Sequence, residues 1–181
     1  MKPQLQPDDR PPATLSLDEY FATVFRPDCD FVDGHSEDRH VGELNHSALV
    51  GALLFLLNDA KRHSGWLALP SLRMWVAPTR VRNADVCLLR RDGSKEQVLT
   101  RPPLAVIEVL SCEDGFTAFM EKLRDYRNFG IENIWIIDPA PRIAYRFTAN
   151  GLEEVRNGEL TVADTPIRVV LSDMFAELDR V

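Results

Sequence analysis

At 181 residues the chain is long enough for one domain with a full core and too short for two ordinary ones. With 45% hydrophobic residues and a net charge of −7 it is neither a fibre, nor a disordered chain, nor a protein that coats nucleic acid non-specifically, since that affinity comes from Lys and Arg neutralising phosphates. Cys29, Cys87 and Cys112 are odd in number and lack a C-x-x-C pair, which excludes a disulfide framework and a cysteine zinc site.

Residues 1–13 carry Pro3, Pro7, Pro11 and Pro12 among polar residues, which predicts a flexible tail ahead of a single domain over 14–181. Ser16 and Glu19 have capping-box spacing, and Leu17, Tyr20, Phe21 and Val24 recur at helical intervals until Pro27 forbids continuation. Asp30 to Gly34 reads as a strand running into a turn, with a second short strand over His40 to Glu43. Asn45 or Ser47 then caps a longer helix that runs to about His63, closes at Gly65 and is apolar on most faces, hence mostly buried. Its apolar run, Ala48 to Leu57, is far short of the ~20 residues of a membrane span, and no signal core precedes it, so reduced thiols in a cytoplasm are expected and no membrane partner.

Leu72 to Val76 alternates as a strand ended by Pro78, and Arg80 to Asn83 form the approach to a strand opening at Asp85. After the Pro102-Pro103 break, Leu104 to Leu110 is apolar on both faces and belongs at the middle of a sheet covered above and below. Phe116, Phe119, Met120, Leu123 and Tyr126 predict a helix with Gly130 just past its end, and Ile134 to Ile137 is the next buried strand. Ile143 to Phe147 and Glu153 to Val155, joined across Asn150-Gly151, with another turn at Asn157-Gly158, read as an antiparallel meander. Its exposed edge suits a homodimer, and Ser172 to Phe175 forms a short terminal helix.

Within this order Glu108 is out of place. A carboxylate inside an apolar strand needs compensation, since even a neutral unpaired polar group costs roughly 2–7 kcal/mol there, and a bound cation is one compensation. Alternation puts Leu104, Val106, Glu108 and Leu110 on one face, so pairing with the Asp85 strand would turn both carboxylates toward one ion. Mg²⁺ (or Mn²⁺) prefers oxygen ligands and keeps several waters, so Asp85, Glu108 and a backbone carbonyl such as that of Val109 would satisfy it. Lys122 lies at the border of its helix's apolar stripe with Tyr126 one turn on, where it can point along the sheet towards the ion. From Arg73 to Arg101, Arg73, Arg80, Arg82, Arg90, Arg91, Lys95 and Arg101 stand against Asp85, Asp92 and Glu96, a local +4 that reads either as a solvated loop surface or as a nucleic-acid surface.

At these residues the chain resembles the Uma2-type (DUF820) family of the PD-(D/E)xK nuclease superfamily. The resemblance is carried by Asp30-Phe31-Val32-Asp33-Gly34, His46 at a helix start, Arg82-Asn83-Ala84-Asp85-Val86, Val106 to Ser111, Lys122 with Tyr126, and Gly130 to Pro139. It departs at Ala84, where a proline is usual, and at Asp30, where a glutamate is common. The resemblance implies an α/β (α+β) fold, a restriction-endonuclease-like mixed central sheet flanked by helices. It implies a divalent metal on Asp85 and Glu108, and Lys122 in the lysine role, because Leu110 occupies the usual lysine position.

The expected function is a metal-dependent endonuclease hydrolysing DNA phosphodiester bonds. Asp85, Glu108 and Lys122 are its catalytic residues, Ser111, Tyr126, His46 and Asp30 its auxiliary ones, and Arg73, Arg80 and Arg82 hold the DNA backbone. Each residue also has a plainer reading. On that reading Glu108 pairs with Lys122 or Arg82 in a buried ion pair, Asp85 caps the start of its strand, Lys122 snorkels, Tyr126 is core, and His46 bonds nearby backbone. Ser111-Cys112 lacks G-x-S-x-G and a base partner. The alternative function is an inactive nuclease-fold module that binds nucleic acid or a protein partner as a dimer.

Overall fold

The alternating and apolar stretches pair into one sheet, and the computed structural model, which describes residues 14–26, 28–39, 43–59, 65–93, 96–111 and 115–180, shows its winding. The strand order is β2 (His35–Asp38), β1 (Cys29–Val32), β4 (Arg80–Arg90), β5 (Ala105–Val109), β6 (Asn133–Asp138), β7 (Ile143–Thr148), β8 (Gly151–Glu154), with β3 (Trp66–Ala77) on the other edge of β4. Among the described residues every strand pairing is antiparallel except β5 with β6. A parallel step needs a long return, and the helix α3 (Phe116–Phe129) provides it between those two strands.

Both faces of the sheet are covered. On one lie α2 (Leu44–Leu57), a separate hairpin of β9 (Glu159–Thr161) and β10 (Arg168–Val170), α4 (Leu171–Phe175) and a 3-10 turn (Ala176–Arg180). There Leu49, Leu53 and Leu57 pack with Val86, Leu88, Ile107 and Trp135. On the other face α3 brings Leu123 and Tyr126 against Cys87, Val106, Ile134 and Ile136. The first helix, α1 (Leu17–Ala22), closes over β1 through Tyr20, Phe31 and Val81.

Local signals that act within a few residues are realised. The Ser16 hydroxyl accepts from the Glu19 N–H and the Glu19 carboxylate accepts from the Ser16 N–H. All five residues of β5 are buried, and Gly130 ends α3 at φ +100°. Elsewhere the structure differs from expectation. β3 is much longer than Leu72 to Val76, running through Pro70 and Ser71 (φ +50°), which an outer strand tolerates. β4 starts at Arg80, so Asp85 is mid-strand rather than at an opening.

The hairpin partner of β1 is His35–Asp38, while His40 to Gly42 lie outside the described residues, as do residues 1–13, His63 and Cys112. The N-cap of α2 is Glu43, not Asn45 or Ser47, and the helix is only half-buried, with Phe55 80% exposed, because a helix without charge gives periodicity no outer face to find. The antiparallel C-terminal stretch divides, with β7 and β8 extending the central sheet and β9–β10 standing apart. The β7–β8 turn sits at Ala149-Asn150, since Thr148 pairs with Gly151.

Candidate active site

β4 changes partner half-way along one edge. Arg80 and Val81 pair with Val32 and Phe31 of β1, whereas Val86, Cys87 and Leu88 pair with Ile107, Val106 and Ala105 of β5. Residues 82–85 face the notch between these partners, because β3 runs along the other edge. Backbone groups in such a notch still need partners, and side chains supply them. The Asn83 N–H donates to Asp30 Oδ1 at 2.9 Å, and the Asn83 carbonyl accepts from Lys122 Nζ at 3.0 Å. On the far wall the Val109 N–H donates to Asp85 Oδ2 at 2.9 Å. Extending the register one pair beyond Val86 and Ile107 sets Asp85 opposite Glu108, on the face that carries Cys87 and Val106.

The two carboxylates are held differently. Asp85, 7% exposed, takes Arg39 Nη2 on Oδ1 at 2.7 Å and His46 Nε2 against Oδ2 at 3.1 Å. Burial alone would raise its pKa, but the hydrogen bond to His46 and the charges of Lys122, His46 and Arg39 hold it down to about 2. Glu108, 4% exposed, accepts from the Tyr126 hydroxyl at 2.6 Å on Oε1, and Lys122 Nζ lies 3.0 Å from Oε1 and 3.1 Å from Oε2. Here burial prevails over Lys122 and, reinforced by the charge of Asp85, pushes the pKa up to about 7. For Lys122, burial would lower the pKa, but Glu108 and Asp30 outweigh it, so the amine is held more firmly protonated than usual. The hydrogen bond to Asp85 likewise raises His46 despite its burial.

These contacts resolve several open readings. Lys122 is the partner of Glu108, and Arg82 is not. Tyr126 is both core and a donor to Glu108, and His46 bonds the Asp85 carboxylate. Asp30 lies at the notch, 3.9 Å from Lys122 Nζ, and Ser111 follows β5 at its end.

The three arginines expected to hold DNA are engaged inside the protein instead. Arg82 is 1% exposed and reaches Asp125 at 2.7 Å, Glu37 at 2.7 Å and Asp30 at 3.4 Å. Arg80 bonds Asp33, Glu121 and Asp125, and Arg73 bonds Asp28 while lying over the Tyr20 ring. The charge of these three arginines is thus met by acids distant in sequence. Reasoning from sequence missed Arg39, Asn83, Glu37 and Asp125. Arg39 ends the run Glu37-Asp38-Arg39, which reads as solvated charge, and no local spacing could have singled it out.

The notch opens into a cleft of about 390 Å³ whose lining includes Asp30, Glu37, Asp38, Asp85 and Glu108 against Arg39, Arg82 and Lys122. Acids outnumber fixed cations, so a phosphate is repelled unless another cation joins. Among the described residues no three His, Cys, Asp or Glu form a closed ligand set. Two carboxylates facing each other across neighbouring strands nevertheless suit Mg²⁺, which is bound through one or two carboxylates and keeps its remaining waters.

A family model and a crystal structure agree with this architecture. A family model described as "Uma2: Putative restriction endonuclease" matches residues 18–174. The chain belongs to the Uma2 family. A crystal structure of a DUF820 nuclease from Anabaena variabilis ATCC 29413, itself described as putative, shares the Uma2 chain's fold with a TM-score of 0.76 at 17% identity, covering 91% of this chain and 99% of that one. A cryoEM structure of a DrdV–DNA complex aligns at a TM-score of 0.44 and 19% identity, over 77% of this chain and 11% of that one. No curated protein matches. Among the described residues no helix is long and apolar enough to cross a membrane.

Proposed function

We propose that this Uma2 protein is a divalent-metal-dependent endonuclease that hydrolyses DNA phosphodiester bonds in the cytoplasm, within one domain over residues 14–181, with Asp85, Glu108 and Lys122 as its catalytic groups. The observation that carries this reading is the notch, where Asp85 stands opposite Glu108 and the Lys122 amine spans from the Glu108 carboxylate to the Asn83 carbonyl. Asp85 and Glu108 would hold Mg²⁺ or Mn²⁺ together with the Val109 carbonyl. An extended residue presents its N–H and C=O to the same edge, and the Val109 N–H already meets Asp85. Such an ion supplies Lewis-acid polarisation of a phosphate oxygen and a more acidic bound water.

The chain's own groups do the rest. Lys122, kept protonated by Glu108 and Asp30, orients a water or balances charge developing on the phosphate. Tyr126 fixes Glu108, His46 fixes Asp85, Asp30 braces the notch through Asn83, and Ser111 flanks the ligand-bearing end of β5. DNA as the substrate is supported by the family's description as restriction endonucleases.

The test uses the full chain on supercoiled, linear and single-stranded DNA with Mg²⁺ and Mn²⁺. Cleavage is expected, falling at least ~100-fold in Glu108→Ala and in Lys122→Ala. Activity unchanged in Glu108→Ala excludes the mechanism.

One observation favours a second reading, a nuclease-fold module that binds nucleic acid or a protein partner as a homodimer without turnover. Asp85 is already neutralised by Arg39. That reading needs no divalent ion, so ion binding that disappears in Asp85→Asn counts against it. The sheet edge offered for dimer pairing, β8, carries exposed Glu153 and Glu154, charges of the kind that discourage edge association.

A further inference from the structure

A carboxylate has about four lone-pair positions, two on each oxygen. At Asp85, Oδ2 uses both, accepting from the Val109 N–H at 2.9 Å and facing His46 Nε2 at 3.1 Å. Oδ1 is the oxygen with capacity to spare, and Arg39 Nη2 sits on it at 2.7 Å. The arginine side chain is only 8% exposed, so this is an enclosed contact rather than a passing surface pair.

We infer that Arg39 is the site's internal cation, occupying the approach to Asp85 Oδ1 that a divalent ion requires, so that ion uptake is an exchange in which the guanidinium leaves. The inference rests on the metal-binding reading given above and adds to it the group that opposes the ion. A guanidinium stays charged at any physiological pH, so Arg39 cannot yield its place by losing a proton and must move.

Its tethering permits that. Among the described residues Arg39 has one carboxylate partner, Asp85, and one further hydrogen bond, to Ser71 Oγ at 3.5 Å, the limit of such a contact. Arg82 and Arg80, lining or flanking the same notch, are each fixed by three acids. Arg39 also stands just beyond the end of β2, outside the sheet's ladder, whereas Arg82 is held within β4. Lys122 is the other permanently charged group in reach of Asp85, but it is tied across the notch to both Glu108 and the Asn83 carbonyl. Among the described residues, Arg39 is the guanidinium or ammonium at the two acids with the fewest charged partners.

The experiment measures Mn²⁺ binding to the full chain by calorimetry or electron paramagnetic resonance, without DNA, in the wild type, Arg39→Gln and Asp85→Asn. Arg39→Gln is expected to bind Mn²⁺ at least tenfold more tightly than the wild type, and Asp85→Asn to lose binding. Equal or weaker binding by Arg39→Gln, with binding still lost in Asp85→Asn, overturns the exchange and leaves the metal site standing. Absence of Mn²⁺ binding in both the wild type and Arg39→Gln overturns both.

A second measurement needs no Arg39 variant. In wild-type protein labelled with ¹⁵N-arginine, Mg²⁺ should convert the guanidinium signal that Asp85→Asn also mobilises from restricted to free rotation, at the concentration that saturates the site. A signal that stays restricted at saturation overturns the inference.

Discussion

The two acids of the notch are the same functional group at similar burial, 7% exposed for Asp85 and 4% for Glu108, yet their proton affinities are driven in opposite directions. Asp85 faces a histidine, a guanidinium and a backbone N–H, enough to overcome the cost of burial. Glu108 lies inside the sheet with one amine and one phenol, and for it burial wins. The number and charge of donors within reach, rather than depth, decide which of two buried carboxylates stays ionised. One wall of the cleft is therefore a permanent anion and the other an acid that titrates near neutrality.

The strongest way to break this contrast is Asp85→Asn, which removes at once the counter-charge that His46 and Arg39 both face. A loss of ~3–5 kcal/mol in unfolding free energy is expected from urea titration in EDTA, the cost of stranding one member of a buried pair. A smaller effect follows from Glu108. Its folded pKa of about 7 stands above the ordinary 4.5, so the folded chain holds this proton more tightly than the unfolded one. The resulting stabilisation is complete below pH 4.5 and lost as pH rises through about 7, a fall on the order of 3 kcal/mol. Glu108→Gln should flatten that part of the urea-midpoint profile, and a slope that persists would refute the assignment. The smallest effect belongs to the Arg168–Glu159 pair on the exposed β9–β10 hairpin, where Arg168→Ala should leave the midpoint unchanged because water already screens the charges.

Much of this architecture was legible locally. The Ser16 capping box, the doubly buried Glu108 strand and the glycine after α3 are each set by interactions a few residues long. Lys122 and Tyr126, one helical turn apart, could be read as a pair because a helix puts them on one side. The partner change along β4 could not. It depends on where β1 stops and β5 begins, strands brought together across more than seventy residues, and no period in Arg80 to Arg90 encodes it. The pairing of the arginines was hidden for the same reason. Arg82 lies among apolar and polar neighbours that suggest a surface, but its three carboxylates come from β1, β2 and α3. The length of β3 was hidden by Pro70 and Ser71, which interrupt the alternation without interrupting the strand.

Arg82 also sets a dimension. A planar guanidinium fixes the directions and spacing of the groups bonded to it, and this one joins the hairpin, the strand that forks and the crossover helix at a single buried point. The aperture of the cleft is in that sense the span of one side chain. A flexible ammonium in its place would keep the charge but lose the ruler.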